Sequence, residues 1–345
     1  MAELDSILES AREKPIDRDQ ALFLLYNTEQ EENAEKLFAA ARAVRRRETG
    51  DIFRWSGGIA SVLPCTLKPL CSYCPYWREV GKKCLPVGEI VKAAQYFQTL
   101  GIDNFHLSGG TTLGSEGLDI LEIIHAIWDA GVRDMKIMVN CGAAMSFETL
   151  GKIRAMGVAS VGSTFEITNP EVFKKVKPGD DLEVKKQFAW RIGEAGLGLA
   201  SGIMAGLGPR ETRYEDYVNS IFDLAVYPHL VSVYVSKFNP VDTTPMKDHP
   251  QCPAQEGARL IAVMRLALRG IDIGPAAGWS NLEHPLAYRA GAGTKLFSVG
   301  ANRKAAYWKP ERDVEQRLVE ETIVYNDSRA EKRKLAARCG FTIQE

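Results

Sequence analysis

The sequence predicts an α/β fold: a (β/α)8 barrel of the TIM type carrying an N-terminal helical extension. From about residue 59, short β-rich runs alternate with longer helical patterns. Glycines close many of the helical patterns, at Gly101, Gly131, Gly157, Gly196 and Gly270, where a C-cap favours them. The joints are short, and strand–helix alternation with short joints implies parallel strands linked by right-handed crossovers. About eight such repeats fit a closed barrel. A doubly wound open sheet is the structural rival.

Residues 1–50 are expected to form the helical extension. Thr28 followed by Glu31 is a capping-box pattern, and Gly50 ends the segment. Leu37, Phe38, Ala41 and Val44 share one helical face, as a cap over a larger core requires. The barrel is placed at residues 51–309. Its expected strands are Ile59–Leu63, Asn104–Leu107, Met135–Val139, Ser160–Phe165, Leu199–Met204, Val231–Phe238, Ile271–Gly274 and Leu296–Val299. Between them lie helical patterns at Val87–Leu100, Leu118–Ala130, Phe147–Met156, Leu182–Ala195, Tyr214–Val226 and Ala254–Leu268. Residues 310–345, beginning at Pro310, read as a charged helical tail.

Composition narrows the function classes. The 345 residues are 45% hydrophobic and carry a net charge of -1, so no basic excess asks for nucleic acid or an anionic membrane. The Arg45-Arg46-Arg47 run closes a helix that opens with Glu29, Glu31 and Glu32, and is read as charge matched to the helix dipole. The N-terminus shows no signal-peptide pattern, and no apolar run is long enough to span a bilayer. A cytoplasmic protein is expected.

The most informative segment is Cys65, Cys71 and Cys74, spaced C-x5-C-x2-C. Three thiolates on one loop can hold three irons of a 4Fe-4S cube and leave the fourth iron open to bind and reduce something. A structural zinc site is the alternative, with Cys84 or His106 as fourth ligand. A disulfide is disfavoured by seven cysteines, an odd number, and no secretory signal. Barrel chemistry sits at the C-terminal ends of the strands. The cysteine loop follows the first strand, and Ser108-Gly109-Gly110, Asn140, Glu166, Lys237, Asn239, Trp279 and Arg303 also fall at strand ends.

The cysteine loop, with His106-Leu-Ser-Gly-Gly-Thr111 after the second strand, resembles the radical S-adenosylmethionine (SAM) enzymes. The resemblance implies a 4Fe-4S cluster on Cys65, Cys71 and Cys74, whose open iron is chelated by SAM. It implies reductive cleavage of SAM to a 5'-deoxyadenosyl radical. Tyr73 is then expected beside the adenine, and Ser108, Gly109, Gly110 and Thr111 at the SAM amino group. Residues 164–176 resemble the fourth-strand segment of the biotin synthase, HydE and methylornithine synthase (PylB) group, which makes Glu166 a SAM contact. Residues 195–208 resemble the fifth-strand segment that packs on the adenine, and Met204 belongs to it. Lys185 falls where this group often has an arginine for the SAM carboxylate; the lysine keeps the charge and loses the bidentate fork. Arg191 is the alternative for that role. The barrel-closing segments at 291–294 and 298–303 also resemble the group.

The five-residue first gap departs from the usual C-x3-C-x2-C and resembles the HmdB (HcgA) family, associated with the iron-guanylylpyridinol cofactor of the cluster-free hydrogenase. That resemblance implies a part in building the pyridinol. Another enzyme of the group, acting on a small amino-acid-like substrate, is one alternative. A non-catalytic iron-sulfur carrier is another, although a carrier needs no SAM segments. Biotin synthases hold a second cluster on cysteines that would fall near Met138 and at Ala200; neither is cysteine, which argues against sulfur insertion. The expected partners are a small-molecule substrate and an external electron donor such as ferredoxin or flavodoxin. Asn140, Lys237, Asn239 and Arg303 are the candidate substrate residues, and they suggest a polar or anionic molecule. His106 and His125 are read as packing residues, and Cys84, Cys141, Cys252 and Cys339 as structural thiols. Trp55, Trp77 and Trp279 are candidates for shielding a radical from water.

Overall fold

A computed structural model describes residues 2–79, 84–303, 316–319 and 323–345. Three helices open the chain: α1 (Ala2–Glu13), α2 (Arg18–Asn27) and α3 (Glu31–Thr49). The alternating region follows as β1 (Ile52–Ile59), α4 (Tyr76–Glu79), α5 (Val87–Thr99), β2 (Asn104–Ser108), α6 (Leu118–Asp129), β3 (Lys136–Asn140), α7 (Phe147–Ala155) and β4 (Val158–Gly162). It continues as α8 (Pro170–Val176), α9 (Leu182–Glu194), β5 (Gly198–Ala205), α10 (Arg213–Ala225), β6 (Leu230–Lys237), α11 (Ala254–Leu268), β7 (Asp272–Pro275), α12 (His284–Arg289) and β8 (Lys295–Arg303). The chain closes with β9 (Gln316–Val319), β10 (Ile323–Asp327), α13 (Arg329–Cys339) and β11 (Thr342–Gln344).

The capping box is at Asp17, not Thr28. The Asp17 carboxylate accepts from Gln20 N at 2.9 Å, and Asp17 N donates to Gln20 Oε1 at 3.1 Å. Thr28 instead ends α2 and donates its hydroxyl to Leu24 O at 2.6 Å, so it is not free to cap α3. Asp17→Ala should lower stability by about 1 kcal/mol, read as a fall in the urea midpoint at constant slope.

Leu37, Phe38, Ala41 and Val44 are buried as expected. The extension lies along the outer helices, α2 on α10 and α11, and α3 on α11. Ile16 N donates to Leu266 O at 3.3 Å, and the Arg269 guanidinium reaches Ala11 O at 2.9 Å and Glu48 at 2.7 Å. In the arginine run, Arg45 is buried and tied to Gly50 O and Asp51. Arg46 pairs with Asp51 and Arg47 with Glu13, each at 2.9 Å. These acids lie beyond α3's own first turn, so neighbouring segments neutralise the run as well as the dipole.

The sheet runs β7-β6-β5-β4-β3-β2-β1-β8, all parallel, which is barrel order. Apolar residues from the strands and surrounding helices form one contiguous core. Among the described residues no ladder joins β7 to β8, so the expected closed barrel is observed as a parallel sheet left open at that seam. Two features leave it open. β7 is only four residues long and ends at Pro275, and β8 gives its other edge to β10 in an antiparallel ladder. The single bridge Ile273–Gly293 brings the segment before β8 against β7.

Two further expectations change. The first strand is Ile52–Ile59, and residues Ser61–Leu63 are not strand. Gly57 and Gly58 disguised it as a turn. They are needed because an added Cβ would meet the Phe97 ring at 2.8 Å from Gly57 and run into His106 from Gly58. The tail is also not purely helical. β9 and β10 form a hairpin on β8, and β11 pairs with β1, Ile52 opposite Thr342, with α13 between. Residues 310–315 lie outside the described ones.

Candidate active site

β1 delivers the chain to the C-terminal face of the sheet, where Ser61, at φ 61, turns it. The cysteine loop is then sewn to its neighbours by backbone hydrogen bonds. Val62 N donates to Ser108 O at 3.1 Å, Gly110 N to Leu63 O at 2.9 Å, and Thr66 N to Thr111 O at 2.8 Å. Ser72 N donates to Val176 O at 2.7 Å, at the end of α8. The loop is therefore positioned by β2 on one side and by the α8 segment on the other.

The glycines of Ser108-Gly109-Gly110-Thr111 serve this stitching. A Cβ on Gly110 would overlap the backbone of Cys65 and the carbonyl of Pro64, and one on Gly109 would lie 2.8 Å from Leu63 N. Their lack of a side chain leaves room for the cysteine loop, which occupies that space.

One cavity of about 220 Å³ lies against this loop. Cys65, Cys71, Cys74, Tyr73, Gly109, Gly110, Thr111, Asn140, Glu166 and Lys185 all line it, so most of the expected residues converge. Ser108 lines a second cavity with Ala60, Tyr76, Trp77 and Gly109, and Trp77 and Gly109 line both. Met204 is buried on β5, and its N–H donates to Glu166 O at 2.9 Å. It acts on the backbone of Glu166 and does not line the first cavity.

Glu166 is the most informative of these. Its backbone is left-handed, φ 67, held by Glu166 N to Gly202 O at 2.8 Å and by the Met204 bond. Such strain persists where surrounding structure fixes it. Its Oε2 is buried with no hydrogen-bond partner. Burial raises its pKa, opposed by Lys177 and Lys185.

Sequence reasoning missed Lys177 and Asp180, which also line the cavity. Asp180 Oδ2 accepts from Lys177 at 3.0 Å and from Lys185 at 3.3 Å, and both lysines are buried. Burial pushes the Lys185 pKa down to about 8, with Lys177 adding to the shift and Asp180 opposing it. Burial also works against charge on Lys177, but Asp180, Cys71 and Glu166 raise its pKa on balance. The Cys71 thiol is pushed up to about 11 by burial, with Lys177 opposing. The sequence signal for the pair was the Lys177-Pro-Gly-Asp180 turn between two helical patterns.

Other candidates stand elsewhere. Arg191 is exposed near the end of α9 and does not line the cavity, whereas Lys185 does. Lys237 is buried in an ion pair with Glu283 at 2.9 Å, and Asn239 Nδ2 donates to Gly278 O at 3.0 Å. These bonds tie the end of β6 to the segment after β7. Arg303 ends β8 beside Cys84, whose pKa burial raises and Arg303 lowers. None of Lys237, Asn239 and Arg303 lines either cavity. His106 packs on Phe297, its pKa lowered to about 4 chiefly by burial. Cys141 is buried behind Gly109, and Trp55 and Trp279 are buried away from the two cavities, leaving Trp77 at the site.

The donor set can be tested against its two readings. A mononuclear zinc site needs side chains converging on one point. Among the described residues no three His, Cys, Asp or Glu side chains do so. Three thiols spread around a cavity, with an unpartnered carboxylate oxygen and two ammonium groups beside them, fit a larger cluster and a charged ligand such as SAM.

Comparison with known proteins agrees. Residues 64–221 match the radical SAM superfamily. An uncharacterized protein of Methanocaldococcus jannaschii is 29% identical over 75% of this chain and 68% of its own length. The biotin synthase of Hyphomonas neptunium is 25% identical over 83% of this chain and 89% of its own. Among solved structures, methylornithine synthase (PylB) superposes with a TM-score of 0.78 at 21% identity, covering 99% of this chain and 97% of that one. The FeFe-hydrogenase maturase HydG of Carboxydothermus hydrogenoformans superposes with a TM-score of 0.79 at 19% identity, covering 99% and 79%. Among the described residues no helix is long and apolar enough to cross a membrane. Over residues 64–221 the chain thus carries a radical SAM domain, and it is an enzyme, similar to the biotin synthases, whose cofactors are a 4Fe-4S cluster and S-adenosylmethionine.

Proposed function

We propose that Cys65, Cys71 and Cys74 hold the cluster and that the enzyme builds carbon skeleton in cofactor biosynthesis, at the pyridinol of the iron-guanylylpyridinol cofactor. The observation that carries the site is the convergence of the three thiols with the unpartnered Glu166 Oε2 in one cavity. When bound, the cluster supplies one electron and an open iron for SAM. The chain's own residues do the rest. Glu166 accepts hydrogen bonds from SAM, Lys185 meets its carboxylate, Tyr73 packs beside the adenine, and Trp77 keeps water from the neighbouring cavity. Asn140 reaches into the mouth from the end of β3. External one-electron reductant comes from a protein of the ferredoxin or flavodoxin kind.

The pyridinol assignment rests on the C-x5-C-x2-C spacing. Disrupting the gene in an organism that makes this cofactor should abolish it, and supplying the finished pyridinol should restore it. Sulfur insertion is the competing reading raised by the biotin synthase relatives. It lacks cysteines at Met138 and Ala200. An iron and sulfide count run beside a dethiobiotin assay should give one cluster and no biotin. A second, two-iron cluster with biotin formed would overturn the assignment.

Glu166→Gln keeps the shape and removes the charge. SAM affinity measured by calorimetry should fall roughly tenfold or more, since a hydrogen bond to a charged group contributes about 1.5–3 kcal/mol, while the cluster spectrum stays intact. Unchanged affinity would remove Glu166 from the site.

A further inference from the structure

Lys177 has no place in the roles assigned so far, yet it is among the most enclosed charges in the molecule, 5% exposed. Its ammonium donates to Thr164 O at 3.2 Å, pairs with Asp180 at 3.0 Å and lies 5.2 Å from the centroid of the Phe173 ring. The segment that carries it lies directly on the cysteine loop. Ser72, next to Cys71, bonds Val176 O through its N–H and Lys175 O through its hydroxyl. An added Cβ on Gly179 would run into the Pro69 carbonyl. Lys177 and Cys71 line the same cavity.

Asp180 pairs directly with two buried ammonium groups, and Glu166 faces them across the same cavity without bonding either. With Glu166 given to SAM, one directly paired carboxylate serves two ammonium groups, and an undercompensated buried cation is costly, so further negative charge in the cavity is favoured. Thiolates carrying a cluster supply it, and a reduced cluster supplies more than an oxidised one. We propose that Lys177 is a positioning charge for the cluster: its fixed ammonium beside Cys71 raises the cluster's reduction potential and so eases the one-electron transfer from the external donor. Asp180 opposes it and sets the balance. No bond forms or breaks in this step; one electron passes from the donor protein to the cluster. The inference rests on the assignment of the cluster to the three cysteines.

The test is an EPR-monitored redox titration of the anaerobically reconstituted full chain, before SAM is added, with iron counted on every sample. Lys177→Met should keep its iron and shift the reduced-to-oxidised ratio at fixed potential at least about tenfold toward oxidised, a fall of about 59 mV for one electron. Lys177→Arg should restore most of the shift, and Asp180→Asn should move the midpoint the opposite way. A purely structural role predicts no such opposition in sign. An unchanged midpoint in iron-replete Lys177→Met, or shifts of the same sign in Lys177→Met and Asp180→Asn, would overturn the proposal. If Lys177→Met loses iron, Asp180→Asn decides it: a raised midpoint supports the proposal, and an unchanged or lowered one overturns it. Loss of iron in the wild type instead strikes at the cysteine assignment, and is seen in the count before any potential is read.

Discussion

Cys71→Ala is expected to abolish the broad visible charge-transfer absorbance of the reconstituted protein and reduce SAM cleavage to background. The effect should be complete because a cube held by three thiolates already lacks a fourth protein ligand. Cys71 also sits next to Ser72, whose bonds to the end of α8 fix this side of the loop. Cys65→Ala and Cys74→Ala should behave alike. Cys141→Ala is the control. That thiol is buried and has its pKa pushed up by burial, so its removal should lower stability modestly and leave the iron count unchanged. The measurement is iron per chain, with absorbance and circular dichroism on the same samples. Full iron in Cys71→Ala would remove Cys71 from the ligand set.

Gly110→Ala should be nearly as damaging, for a reason unrelated to ligand contact. The new methyl would overlap Cys65 N, Cys65 Cα and Pro64 O, all backbone atoms that cannot swing away. Overpacking of this kind destabilises by about 1–3 kcal/mol, and here the strain falls on the residue that opens the cysteine loop. Both the urea midpoint and the iron content should drop. Gly151→Ala is the matched control. It lies within α7 with nothing near its added Cβ, so it should be neutral or stabilise by up to about 1 kcal/mol. Wild-type stability and iron in Gly110→Ala would show that the loop can move off β2, contrary to the stitching described above.

Much of this architecture was legible because local signals and global fold agree. The runs that became β2 to β8 are short and β-rich, and of the intervening helices α5 ends at Thr99 and α11 at Leu268, within a residue of the expected Leu100 and Leu268. β1 was misplaced because Gly57 and Gly58 weaken its strand pattern, and what demands them, Phe97 and His106, is distant in sequence. Thr28 was misjudged because its hydroxyl can serve the turn before it as readily as the helix after it. The open seam was not legible, since it depends on β10 taking the free edge of β8.

The site divides in the same way. Cysteine spacing and Glu166 could be read because their motifs are contiguous. Lys177 and Asp180 could not, because their importance comes from burial against Cys71 and Lys185. Lys237 was expected to face a substrate, yet Glu283, 46 residues further on, claims it. A strand-end position places a side chain near the mouth without saying what it meets there.

The central claim, that Cys65, Cys71 and Cys74 carry a 4Fe-4S cluster that cleaves SAM, is tested most directly in one anaerobic experiment. The purified chain is reconstituted with iron and sulfide, metals are counted, dithionite and SAM are added, and the mixture is chromatographed for 5'-deoxyadenosine. The account predicts iron and sulfide in the ratio of one 4Fe-4S cube per chain, and 5'-deoxyadenosine that disappears in Cys71→Ala. Zinc without iron, or a full cluster that yields no 5'-deoxyadenosine, would contradict it.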